Sequence, residues 1–143
     1  MRPTLTVTVL GGLLVGITAL AAPASAATPQ EVCGSGYTTV NSMPVGGSLG
    51  TVYLTYNRTN GRNCVATIRN STGKAMDMSA WIEIPDTGSA VQDSGEYTSH
   101  AGPVYAFGRG HCVNWGGNID NRYVQIDNSN CAAHEESRHS FTR

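Results

Sequence analysis

Charge is scarce in this chain. Of its 143 residues 13% are Asp, Glu, Lys or Arg, and 9 basic against 10 acidic side chains leave a formal net charge of −1. Such a chain has no basic field to hold nucleic acid by counterion release and no polybasic stretch to hold an anionic membrane. Helical periodicity is missing too: apart from a weak candidate at Ala132 to Arg138, no stretch offers ten residues of helical period with caps. No repeat of 20 to 50 residues is visible. The sequence contains no C-x-x-C knuckle, the spacing that most often announces structural zinc. Beyond residue 26 no run approaches the ~20 apolar residues that a membrane span requires.

What is present begins at the N-terminus. Met1 and Arg2 form a minimal positive region, Leu5 to Ala22 is apolar without a charge, and Pro23-Ala24-Ser25-Ala26 places small residues at −3 and −1. These are the three parts of a secretory signal peptide, with cleavage expected after Ala26. A retained anchor is the competing reading, but no Lys/Arg cluster follows the run. Removal of residues 1–26 leaves 143 − 26 = 117 residues, with 8 basic and 10 acidic side chains and a charge of −2. That length suits one compact domain, expected over residues 27–131, followed by a polar tail at 132–143.

All four cysteines, Cys33, Cys64, Cys112 and Cys131, lie in the exported part. An even count in a small exported domain indicates two disulfides. Three pairings are possible; Cys33 with Cys64 and Cys112 with Cys131 is favoured because each bond then closes a local loop.

Alternation of apolar and polar residues dominates from Tyr37 onward. Met76, Met78, Ala80, Ile82 and Ile84 alternate with Asp77, Ser79, Trp81 and Glu83, so one face of that strand should be buried and the other wet. Further strands are expected at Thr51 to Tyr56, Asn63 to Arg69, Glu96 to Ser99, Val104 to Phe107, His111 to Trp115 and Arg122 to Asp127. Asn60-Gly61 is a strong hairpin signal, and Asp93-Ser94-Gly95, Gly102-Pro103, Gly108 to Gly110 and Gly116-Gly117 read as turns. About seven or eight short antiparallel strands braced by two disulfides make an all-β sandwich or small barrel.

Chemistry is harder to find. Glu96, Arg109 and His111 have the residue types of a small ribonuclease, but their spacing matches no such pattern. His100 and His111 flank Ala101 to Gly110 and would need a third ligand to hold a metal. No catalytic residue, metal or cofactor is therefore expected. Trp81, Trp115 and Tyr53 are the candidate surface-contact aromatics, able to stack on a sugar face. The sequons at Asn57 and Asn70 sit at turns and carry no functional weight.

Five fragments point further: Tyr53-Leu54-Thr55-Tyr56-Asn57, Arg62-Asn63-Cys64-Val65, Asp93-Ser94-Gly95-Glu96-Tyr97, Ala101-Gly102-Pro103-Val104 and Cys112-Val113-Asn114-Trp115-Gly116-Gly117. In this order and spacing they resemble the spore-associated protein A family of filamentous actinomycetes, over about Cys33 to Cys131. The resemblance implies a small exported protein found with spores or the aerial cell surface, and it brings no catalytic or ligand residues. The expectation is a secreted, non-enzymatic protein whose partner is a spore or cell-wall component, polysaccharide included, with neither nucleic acid nor membrane as partner once the signal is removed. Two alternatives stand beside it: a lectin-like wall-binding module, and a secreted protease inhibitor presenting Pro85 to Gln92 or Gly108 to His111.

Overall fold

The structure is a computed structural model that describes residues 25–131. A short helix α1 (Pro29–Cys33) precedes eight strands: β1 (Thr38–Val45), β2 (Gly50–Asn57), β3 (Arg62–Arg69), β4 (Met76–Ile84), β5 (Ser89–Tyr97), β6 (His100–Phe107), β7 (Val113–Ile119) and β8 (Arg122–Ser129). They form two antiparallel four-stranded sheets, ordered β1-β2-β3-β6 and β5-β4-β7-β8. The sheets pack face to face as a sandwich, and the chain changes sheet between β3 and β4, β5 and β6, and β6 and β7.

Between the sheets lies the main core, built from Val52, Leu54, Val65, Val104 and Ala106 on one side and Met78, Ala80, Ile82, Trp115 and Ile119 on the other. The alternation along β4 is realised on its inner face, with Met78, Ala80, Ile82 and Ile84 fully buried, while on the expected wet face Ser79 is buried and Asp77, Trp81 and Glu83 keep some exposure. A second, smaller core sits on the outer face of the first sheet, where Cys33, Tyr37, Cys64, Ala66 and Ile68 cluster. β3 is consequently buried on both faces, from Asn63 to Ile68. The cover over it is α1, which a capping box starts: the Thr28 hydroxyl accepts from the Glu31 amide at 3.2 Å and the Glu31 carboxylate accepts from the Thr28 amide at 2.6 Å.

Both expected disulfides are present. Cys33–Cys64 ties α1 to β3, and Cys112–Cys131 ties the β6–β7 connection to the second residue after β8. The hairpin at Asn60-Gly61 also forms, as a four-residue loop from Arg58 to Gly61 in which Gly61 alone takes a positive φ of 72°.

Several expected turns are strand interiors instead. Gly116-Gly117 lies in the middle of β7, where it pairs with Trp81 and Ala80 of β4 and with Gln125 and Val124 of β8. A Cβ on Gly117 would collide with the Thr67 hydroxyl, which reaches across from β3 to donate to the Ser79 carbonyl at 2.7 Å. The two glycines are there for close approach, not for chain reversal. Asp93-Ser94-Gly95 lies within β5, and the Asp93 carboxylate accepts from the Tyr97 hydroxyl at 2.6 Å and the Gly102 amide at 2.7 Å. Gly102-Pro103 lies within β6. Ahead of β1, where the sequence shows no helical period, the chain forms α1 from Pro29. The signal segment, apart from Ser25 and Ala26, the tail at 132–143 and the helix candidate at Ala132 to Arg138 lie outside the described residues.

Candidate functional site

The two outer faces of the sandwich differ. On the first sheet α1, Tyr37 and Tyr105 cover the strands, with the Tyr105 hydroxyl donating to the Cys33 carbonyl at 2.8 Å. On the second sheet no described element lies over the outer face. Its residues follow from the register: Gln92, Ser94 and Glu96 on β5, Asp77, Ser79, Trp81 and Glu83 on β4, Asn114, Gly116 and Asn118 on β7, and Tyr123, Gln125 and Asp127 on β8.

Trp81 is partly exposed near the middle of this face. Its Cζ2 and Cε2 atoms stand 2.8 and 2.9 Å from where a Gly116 Cβ would be, so the glycine lets the indole lie over the backbone of β7. Tyr123, at 78% exposure, stands free beyond it on the edge strand β8. The polar side chains around them hold one another. Asn118 Nδ2 donates to Asp77 at 2.8 Å, Asn114 Nδ2 to Glu83 at 3.1 Å and Gln125 Nε2 to Asp127 at 3.0 Å, while the Ser79 hydroxyl donates to Asn118. Four carboxylates, Asp77, Glu83, Glu96 and Asp127, thus share the face with no Lys or Arg among its described residues. Amides order three of the four without neutralising them.

A cleft of about 500 Å³ opens at one end of the sandwich, lined by Thr38, Val40, Tyr56, Arg58, Asn63, Gly108, Arg109, Gly110, Asn130 and Cys131. Arg109 spans it, donating from Nη2 to the Arg58 carbonyl at 2.5 Å and from Nε to the Tyr56 hydroxyl at 3.5 Å. With arginines and amides in its wall and no described carboxylate or imidazole, the cleft offers donors to an anion but no acid–base pair.

The residues singled out from the sequence are dispersed. Trp115 is a correction: it is fully buried between the sheets, and its Nε1 donates to the Ser129 hydroxyl at 2.8 Å, so it makes no surface contact. Its position in the apolar phase of β7, alongside Val113 and Ile119, accounts for this. Tyr53 lies half-buried on the outer face of the first sheet, packed on the α1 cluster, and shares no surface with Trp81. Arg109 turns into the cleft, whereas His111, two residues on, pairs with Asp86 at 3.1 Å. Glu96 stands opposite Asp77, at the other end of the β4–β5 hairpin from Asp86, roughly 23 Å away at ~3.3 Å per strand residue. His100 likewise opens β6 whereas His111 lies four residues beyond its other end, so the two do not face each other. Among the described residues no group of three or more His, Cys, Asp or Glu is placed to hold a metal ion. The inhibitor-type loop at Pro85 to Gln92 is a four-residue turn followed by strand β5.

Tyr123 was missed by the sequence reading. The signal was present: Val124 and Ile126 alternate with Tyr123, Gln125 and Asp127, which puts the tyrosine in the polar phase of its strand.

No protein-family model and no solved structure matches the chain. It is 48% identical over 134 residues to spore-associated protein A of Streptomyces coelicolor, a match covering 90% of this chain and 86% of that protein. With that identity spread over nearly the full length of both proteins, the chain belongs to the spore-associated protein A family.

Proposed function

We propose that the protein is exported and acts at the spore or cell surface as a non-catalytic binding domain, making contact through the outer face of the β5-β4-β7-β8 sheet. The observation that carries this reading is the face that no described element covers, with its partly exposed Trp81, its exposed Tyr123 and its ordered amides and carboxylates. Three further features support it. The relative is named for association with spores. The signal-like residues 1–26 and the two disulfides fit an oxidising extracellular compartment. The separation of Glu96, Arg109 and His111 favours binding over ribonuclease-type hydrolysis, which requires them around one bond.

Sedimentation with washed, insoluble actinomycete spore and wall material tests the proposal. The secreted protein is expected in the pellet, and Trp81→Ala is expected to reduce the pelleted fraction more than His100→Ala. Equal retention of both variants would remove the sheet face as the contact. A protein that stays in the supernatant would remove surface binding and favour a soluble role such as protease inhibition.

A further inference from the structure

We propose that this face takes an extended, uncharged β-1,4-linked polysaccharide, with sugar rings stacked on Trp81 and Tyr123 and hydroxyls donated to the carboxylates around them. The inference deepens the reading of the sheet face as the contact and rests on it.

Spacing is the first argument. The register runs Trp81 to Gly116 to Gln125 across the sheet, and Ser79 to Asn118 to Tyr123 one row along. Trp81 and Tyr123 are therefore two strands and two residues apart, roughly 12 Å between Cα atoms for strands ~4.8 Å apart. That is about the length of two pyranose rings in an extended chain. A single sugar would cover one platform, whereas a β-1,4-linked ribbon, whose equatorial linkages keep it straight, reaches both; α-linked chains coil away from a flat face.

Shape is the second. Because Gly116 has no side chain, the indole lies over the β7 backbone and makes a platform rather than a post. The apolar faces of pyranose rings stack on such platforms through their C–H groups.

Charge is the third. Asp77, Glu83, Glu96 and Asp127 face the occupant without a basic residue, which repels nucleic acid and other phosphate polymers. Where an amide holds one side of a carboxylate, its remaining lone pairs accept from hydroxyls, as on Asp77 and Glu83.

The test uses the full secreted protein with cellulose, chitin, chitosan and starch as insoluble probes, and cellohexaose and chitohexaose in solution. Cellulose and chitin distinguish plain glucan from N-acetylated sources of the same ribbon. Retention on at least one of them is expected, insensitive to high salt. It should weaken at least about tenfold in Tyr123→Ala and in Trp81→Ala, the loss of a hot-spot contact, and stay unchanged in Phe107→Ala, an exposed aromatic outside this face. Since Trp115 is buried, the oligosaccharide-induced change in tryptophan emission should vanish in Trp81→Phe. Tyr123 packs little, so its variant should keep the wild-type melting temperature even if Trp81→Ala does not. Full affinity in Tyr123→Ala, equal binding to starch, or salt-sensitive binding confined to cationic chitosan would each overturn the proposal. Sedimentation with spore material but with none of the polysaccharides would overturn it while leaving the surface reading intact; sedimentation with neither would remove both.

Discussion

Gly61 shows how much one residue position can require. Its φ of 72° suits a residue without a side chain, and a Cβ there would stand 2.9 Å from both Arg109 Nε and Phe107 Cε2. Gly61→Val should therefore lower stability by at least ~1 kcal/mol, read as a fall in the denaturation midpoint; an unchanged midpoint would mean that the loop refits. Asp93 makes a different kind of demand. Its bond to the Tyr97 hydroxyl, more than desolvation or direct charge, holds the tyrosine proton above the ordinary value of 10.0. A folded-state value raised in this way contributes stability fully at lower pH and loses it as pH rises through that value. The stability gap between the wild type and Tyr97→Phe is expected to shrink as pH is taken above 10.0 in urea denaturation. A gap constant with pH would show that the bond does not differ between the two states of the tyrosine.

At the scale of elements, β7 makes room at Gly117 for a side chain of the facing sheet. Gly117 faces inward beneath the Thr67 hydroxyl, so Gly117→Ala is expected to destabilise the protein by about 1–3 kcal/mol through overpacking. Chemical denaturation checks this, and a loss below ~0.5 kcal/mol would mean that the sheets separate without penalty. α1 presents the opposite situation. Five residues are too few to form a stable helix alone, and what keeps it in place is its capping box, the Cys33–Cys64 bond and the cluster beneath it.

Over the whole molecule the two faces differ: one sheet is closed by a disulfide-anchored helix, and the other, which no described element covers, carries an aromatic and acidic surface. The two disulfides span 31 and 19 residues, and loop closure assigns roughly 3 to 4 kcal/mol to each. Cys33→Ser with Cys64→Ser should lower the melting temperature more than Cys112→Ser with Cys131→Ser, because it also releases α1 from the second core. An equal fall in both double variants would indicate that the small core contributes nothing beyond the bond.

Much of the fold is legible in the sequence because its signals are local. The alternation of Met76 to Ile84 and the Asn60-Gly61 loop depend on a few neighbouring residues, the cysteine pairs each close a loop within one half of the chain, and each is realised. The misread turns had the composition of turns, but pairing with β4 and β8 made Gly116-Gly117 strand, and pairing with β4 did the same for Asp93-Ser94-Gly95. A missing side chain looks the same in a sequence whether it permits a reversal or makes room for a neighbour, and only the facing Thr67 and Trp81 decide which. The exposed aromatics follow the same rule. Phase along β4, β7 and β8 determined that Trp81 and Tyr123 point to the polar side and Trp115 to the apolar one, while strand order alone brought Trp81 and Tyr123 onto one face and placed Tyr53 on the other.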